Sequence, residues 1–194
     1  VINTIQNLAD LGLVHGFNAP EEEIASLNAE SVFAAGTAAL VFQGSWMINW
    51  LNDNLTFPFG FGRLPIGPEG RICMFNGLAD SIWAGSEVQE AAWEWVKFLA
   101  SEEAQMIVGQ SAVVFPAIPA AAEAALASFE EKGLDVSPYL EQAQQENGTF
   151  LFPIADNASE YTSIMTAAMQ SIALGEQTAE EALPKANEEV NDMF

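Results

Sequence analysis

An α/β chain, rich in helix and carrying a small mixed sheet, is implied by three features of the sequence. Apolar residues recur at helical spacing in separate stretches, among them Val1, Ile5, Leu8 and Leu11, and later Tyr161, Ile164, Met165, Ala168 and Ile172. Short apolar or alternating runs bounded by Gly, Pro and Asn read as strands: Ala38–Phe42, Phe57–Pro65, Arg71–Phe75 and Asp80–Ala84. Hydrophobic residues make up 50% of the 194, with mean hydropathy +0.16, enough to bury a core in one domain or two small ones.

Taken in order, the first helix is expected to stop at Gly12, and a loop through Pro20 leads to Glu21, Glu22 and Glu23. Acids at a helix start favour its positive end. Gly36 reads as a left-handed helix stop before the buried strand Ala38–Phe42. Gly44-Ser45-Trp46 is then a turn opening a new helix, with Ser45 as cap and the free amides of the first turn turned outward. That helix fails at Asn52-Asp53-Asn54. Phe57–Pro65 and Arg71–Phe75, around the Ile66–Gly70 turn, read as a hairpin. Asn76 and Gly77 both tolerate positive φ and expose backbone, and Asp80–Ala84 resumes a strand pattern.

Ser86 with Gln89 forms the pattern of a capping box, and Ala91, Ala92, Trp95, Val96 and Leu99 form a stripe on the helix it opens. Helical spacing favours packing for Trp93 and Trp95 over a role as a sugar platform. Ser101 caps a further helix reaching Gly109, and Lys132-Gly133 ends the Ala-rich helix that begins near Ala120. Ser137 reads as a cap with Pro138 at the first helical position. After the Asn147-Gly148 turn, Phe150–Pro153 leads to Asn157, a cap for the long helix through Ile172. Thr178–Glu181 is a second capping box, opening an acidic helix to Val190.

Charge narrows the partners. Asp and Glu total 27 against 5 Lys and Arg, a net of -22. Such a field repels phosphate backbones and anionic membrane surfaces, so no nucleic acid is expected. No apolar run nears the ~18 residues of a spanning helix. Val1-Ile2-Asn3-Thr4 lacks the basic start of a signal peptide, and the chain is expected to begin inside a longer protein. Cys73 and His15 are each the sole residue of their kind, which leaves no disulfide, no Cys/His metal site and no local Cys–His pair.

Enzyme templates are absent: no Gly-x-Ser-x-Gly elbow, phosphate loop or His-Glu-x-x-His helix. Carboxylates spaced as calcium ligands are missing too. The acid doublets Glu130-Glu131, Glu180-Glu181 and Glu188-Glu189 read as solvated faces. No catalytic residue, cofactor or metal is therefore expected. Two readings of Trp46 stand on local chemistry: a flat amphipathic face beside backbone donors, or a side chain filling core. What remains is Gly, amide and aromatic groups at turns, equipment for a neutral polar ligand.

Four blocks now fall in register: Phe33-x-x-Gly36-x-Ala38-Ala39-Leu40-x-x-x-Gly44-Ser45-Trp46; Leu64-Pro65-x-Gly67-Pro68-x-Gly70; Asn76-Gly77 with Ile82; and the run from Ala91 to Gln105. In order and spacing they resemble the carbohydrate-type extracellular solute-binding proteins of ABC importers, the maltose-binding-protein-like group. Pro116-Ala117 and the stretch Gly175 to Leu183 are similar to the same pattern.

That resemblance implies a periplasmic-binding-protein-like (type II) fold, here incomplete, whose two lobes close on a sugar or oligosaccharide and deliver it to permease subunits. Members are roughly twice this length, so the chain resembles a C-terminal half without its N-terminal lobe. By the same analogy, residues 1–75 belong to the C-terminal lobe, 76–120 cross into the N-terminal lobe, and 121–194 form the helical remainder of the C-terminal lobe. A half of this kind is expected to self-associate through exposed apolar surface. The implied ligand-binding residues are Gly44, Ser45 and Trp46 on one side, Asn76, Gly77 and Asp80 on another, and Tyr161 as a second aromatic face. The implied place is extracytoplasmic, periplasmic or lipid-anchored on the outer face of the cell membrane. Two alternatives stand beside it: an acidic carbohydrate-active enzyme with paired cleft carboxylates, and an acidic protein-interaction module.

Overall fold

The structure, a computed structural model, describes residues 1–152 and 154–194. Pro153, the end of the run expected to lead toward Asn157, lies outside the described residues. Helices dominate, with one small sheet, and the chain divides into two compact units: Val1–Gln43 with Pro153–Phe194, and Gly44–Phe152.

The first unit holds α1 (Ile2–Leu13), α2 (Glu21–Leu27), α3 (Ala29–Ala34), α9 (Ala158–Ala173) and α10 (Ala179–Asn191). The α9 stripe packs as expected: Ile172, Ala179, Ala182 and Leu183 are buried, with Met165 and Ala168 against them, whereas α1 contributes Ile5 and Ala9 while Val1 and Leu8 of its expected stripe are 95% and 54% exposed. Local signals set most of the ends. The Thr178 hydroxyl accepts from the Glu181 amide while the Glu181 carboxylate accepts from the Thr178 amide, the expected capping box. Gly36 stops α3 at φ +76, and the Thr37 hydroxyl donates to the Val32 carbonyl at 2.9 Å.

Three expectations here give way. Gly12 does not end α1; the amides of Val14 and His15 both donate to the Asp10 carbonyl, and the chain turns away at Gly16, φ +64. One Gly inside a helix costs only about 1 kcal/mol relative to Ala, less than the helix gains by continuing. Asn157 takes the expected N-cap position of α9, but its side chain makes no capping bond and its amide donates to the Met193 carbonyl at 3.4 Å instead. Ala38–Phe42 is not a buried strand: Leu40 is 82% and Phe42 71% exposed. Among the described residues no strand pairs with that run, and an unpaired strand has no ladder to make.

In the second unit a 3-10 turn, Ser45–Met47, runs into α4 (Ile48–Asn54). There follow β1 (Cys73–Phe75), α5 (Gln89–Leu99), α6 (Glu102–Gln110), α7 (Pro119–Glu131), α8 (Ser137–Gln144) and β2 (Thr149–Leu151). Ile48, Ala112, Phe129 and Val136 form its core, ringed by Phe61, Phe115, Leu126, Leu134 and Tyr139. Burial pushes the Tyr139 phenol up, and nearby Cys73 adds to the effect.

The sheet is two-stranded and parallel, with Cys73 opposite Thr149 and Phe75 opposite Leu151. The expected hairpin is therefore reduced to its turn. Gly67 and Gly70 exchange N–H···O bonds of 2.9 and 3.0 Å, but the return strand pairs with β2. Side chains explain the choice. Arg63 forks onto the Gln142 side-chain oxygen Oε1 at 3.1 and 3.0 Å, drawing the outgoing segment toward α8. Gln142, 7% exposed, donates to the Gly148 carbonyl at 2.7 Å, and that carbonyl also receives the Cys73 amide at 2.9 Å.

Two expected caps do not form and one strand is missing. Ser137 is already the first residue of α8, whose N-cap is Val136 with no side-chain cap; Asp135, one residue earlier, accepts from the Ser137 amide at 3.0 Å and hydroxyl at 2.6 Å, bonds that hold its carboxyl below the usual range. The Ser86 box does not form; its hydroxyl takes the Val88 amide, and Gln89 donates to the Ala84 carbonyl at 2.6 Å. Asp80–Ala84 is not a strand, and Trp83 is 77% exposed. No residue of α5 is buried, and Trp93 and Trp95 are 51% and 59% exposed, so the packing expected of them is not made within the described residues. Ser101 caps α6 as expected, accepting from the Ala104 amide at 3.3 Å.

Candidate functional site

Gly44, Ser45 and Trp46 sit where extended chain turns into helix. Gly44 is extended (φ -82, ψ 164), and its carbonyl receives the Met47 amide at 3.0 Å, closing the first 3-10 turn. Among the described residues the amides of Ser45 and Trp46 have no backbone acceptor, as expected for the opening of a helix. Ser45 is not the cap; Gly44 holds that position, and no side chain caps the turn. The reason is register, since Ser45 is already the first residue of the turn it was expected to precede.

Trp46 does not fill core. Ile48 and Leu51 do so, at 0% and 3% exposure, whereas Trp46 is 56% exposed. Its ring folds back over Gly44, so that a Cβ at position 44 would overlap the outer edge of the indole. The absence of a side chain at Gly44 thus makes room for the ring, which presents a flat apolar face next to two free donors.

Sequence reasoning passed over Asn49. Its side-chain amide donates to the Ala112 carbonyl, and its oxygen accepts from Lys132 Nζ at 3.0 Å. No local pattern announces either partner, because they lie 63 and 83 positions along the chain.

The other candidates come from other segments of the chain. Asn76, Gly77 and Asp80 follow β1 in exposed, irregular chain, and among the described residues no hydrogen bond joins them to Gly44–Trp46. Neither Asn76 nor Gly77 uses positive φ, contrary to expectation. With no tight turn to make there, extended backbone is the lower-energy choice. Tyr161 belongs to the first unit, half-buried on α9, its amide donating to the Asn157 carbonyl at 3.1 Å. A shallow cleft of about 420 Å³ is lined by Ile82, Ala84, Gln89, Glu90 and Trp93, none of them a residue singled out for binding.

Chemically, the Trp46 turn is suited to stacking on a neutral ring while amides reach hydroxyl groups. Among the described residues no group of three or more His, Cys, Asp or Glu is gathered as a metal site, and no helix is long and apolar enough to cross a membrane.

Comparison with known proteins gives a consistent picture. A family model described as "Bacterial extracellular solute-binding protein" matches residues 4–133. None of the curated proteins matches the chain. Among solved structures the chain is similar to UspC of M. tuberculosis (monoclinic crystal form), with TM-score 0.76 at 20% identity, over 95% of this chain and 46% of UspC. The likeness at that identity is one of fold, and the chain spans about half the length of that relative.

Proposed function

The chain belongs to the bacterial extracellular solute-binding proteins, and from that premise we propose that it is part of the substrate-binding component of an ABC importer, binding a sugar or oligosaccharide and passing it to permease subunits. The single observation that carries the ligand class is Trp46, 56% exposed, with its ring held over Gly44 at the mouth of a helix. Sugars present apolar C–H faces and a rim of hydroxyls, which matches an indole face flanked by amide donors. The charge of -22 favours a neutral ligand over an anionic one.

In this reading the 194 residues are the C-terminal half of a two-lobed protein placed outside the cytoplasm, and the other half supplies the remaining contacts. Gly44, Ser45 and Trp46 bind the ligand together with Asn76, Gly77, Asp80 and Tyr161. Binding shifts the protein toward a closed form and involves no chemistry on the ligand.

Sugar titration of the full-length protein is the test. Trp46→Ala is expected to cost about 1 to 3 kcal/mol of binding, roughly five- to 150-fold in Kd. Unchanged affinity across the sugars that bind wild type would remove Trp46 from the site. Release of product from an oligosaccharide would instead favour a carbohydrate-active enzyme.

A further inference from the structure

We infer that Asn49 is a positioning residue that fixes the rotation of the helical segment carrying Trp46, and with it the side on which the ligand-facing ring is presented. The inference rests on the reading of Trp46 as the platform.

Trp46 and Asn49 are three residues apart on one continuous helical segment, the 3-10 turn Ser45–Met47 followed directly by α4. Residues at that spacing share a face, so rotation of the segment about its axis moves both side chains together. Two neighbouring positions resist that rotation. Ile48 is fully buried in the cluster with Ala112, Phe129 and Val136. Asn49 adds direction, which apolar packing lacks. Its side-chain amide donates to the Ala112 carbonyl while its oxygen accepts from Lys132 Nζ at 3.0 Å.

The anchor is itself rigid. Ala112 is fully buried and adopts φ +50, a conformation that residues with a side chain rarely take, and its amide donates to the Gly109 carbonyl at 2.9 Å. Surroundings that impose such a backbone leave its carbonyl one direction to point. Lys132 is steadied in turn by the Phe129 ring, 5.6 Å from Nζ to the centroid. Asn is the residue the site requires, because one short planar group donates to the carbonyl and accepts from the ammonium at once.

The full chain labelled with 5-fluorotryptophan tests this without any ligand. Trp46→Phe identifies the Trp46 fluorine signal among the five tryptophans. Asn49→Asp keeps an acceptor for Lys132 but removes the donor to Ala112. It is expected to move the Trp46 signal by more than its linewidth while Trp83, Trp93 and Trp95 stay in place. Lys132→Met, an exposed change that removes the second bond and the ammonium over the Phe129 ring but keeps the Asn49 donor to Ala112, is expected to move the same signal less. A Trp46 signal that stays put in both variants, whatever their melting temperatures, overturns the inference. If Asn49→Asp does not fold, an unmoved signal in Lys132→Met alone overturns it. Because no sugar is present, a failed sugar titration would remove the proposed function and leave this result standing.

Discussion

A methyl group added at Gly44 would strike the outer edge of the Trp46 indole, the end of a side chain that is 56% exposed. The same methyl at Gly148 would meet the Gln142 carbonyl oxygen at 2.7 Å and the Gln145 carbonyl oxygen at 2.9 Å, backbone atoms fixed in and just after α8. A ring at the surface can swing aside, whereas those carbonyls cannot without loosening the junction of α8 with β1. The two substitutions therefore separate binding from stability. Gly148→Ala is expected to lower stability by about 1 to 3 kcal/mol in denaturant melts. Gly44→Ala should leave the melt nearly unchanged and weaken sugar binding by displacing the ring. Equal losses of stability in both variants would contradict the distinction.

Helix α10 shows an element whose end is set by chemistry that pH can switch off. The Glu181 carboxylate accepts from the Thr178 amide and hydroxyl, both at 2.9 Å, and these bonds hold it below the usual carboxylate range. A folded-state value below the unfolded one means that the contribution is present above the unfolded pKa, about 4.3 for glutamate, and is lost as pH falls through the lower folded value. The stability difference between wild type and Glu181→Gln should thus shrink on acidification below about pH 4. Using the difference removes the effect of the other carboxylates, which titrate in both proteins. A gap that stays constant from neutral to acid pH would show that the carboxylate charge is not what the box uses.

Thr178, Ser101 and Gly36 could all be read correctly from sequence because a cap is decided within three or four residues. Strands failed for the opposite reason. Arg71–Phe75 was recognised as a strand, yet its partner Thr149–Leu151 lies far along the chain and was not foreseen. Ala38–Phe42 and Asp80–Ala84 carry strand composition, but among the described residues no strand pairs with them. The candidate site divides in the same way. The Gly44–Trp46 turn is local and was legible, while the Asn49 bonds to Ala112 and Lys132 depend on how distant segments meet. The exposed indoles of Trp93 and Trp95 were misread because spacing reports which face of a helix is apolar and says nothing about what covers it.

Charge acts on the whole molecule at once. The net of -22 is spread unevenly, since Lys185 is the sole Lys or Arg of the unit formed by Val1–Gln43 and Pro153–Phe194. Glu180, Glu181, Glu188 and Glu189 share α10 with it. Among the described residues one ion pair forms, Lys97 with Glu94 at 2.7 Å, and both side chains are largely solvated. Exposed pairs of this kind contribute about 0 to 1 kcal/mol. Added salt therefore has little attraction to screen and much repulsion. The screening length falls from about 30 Å at 0.01 M to about 10 Å at 0.1 M, which spans the separations between helices of one unit. Melting temperature is expected to rise as NaCl increases over that range, and to rise less in a variant with Glu188 and Glu189 changed to Gln. Sodium chloride is the salt to use, because sulfate would also strengthen apolar burial. A melting temperature that falls with NaCl would mean that attractive pairs, and not repulsion among carboxylates, dominate the electrostatics of this chain.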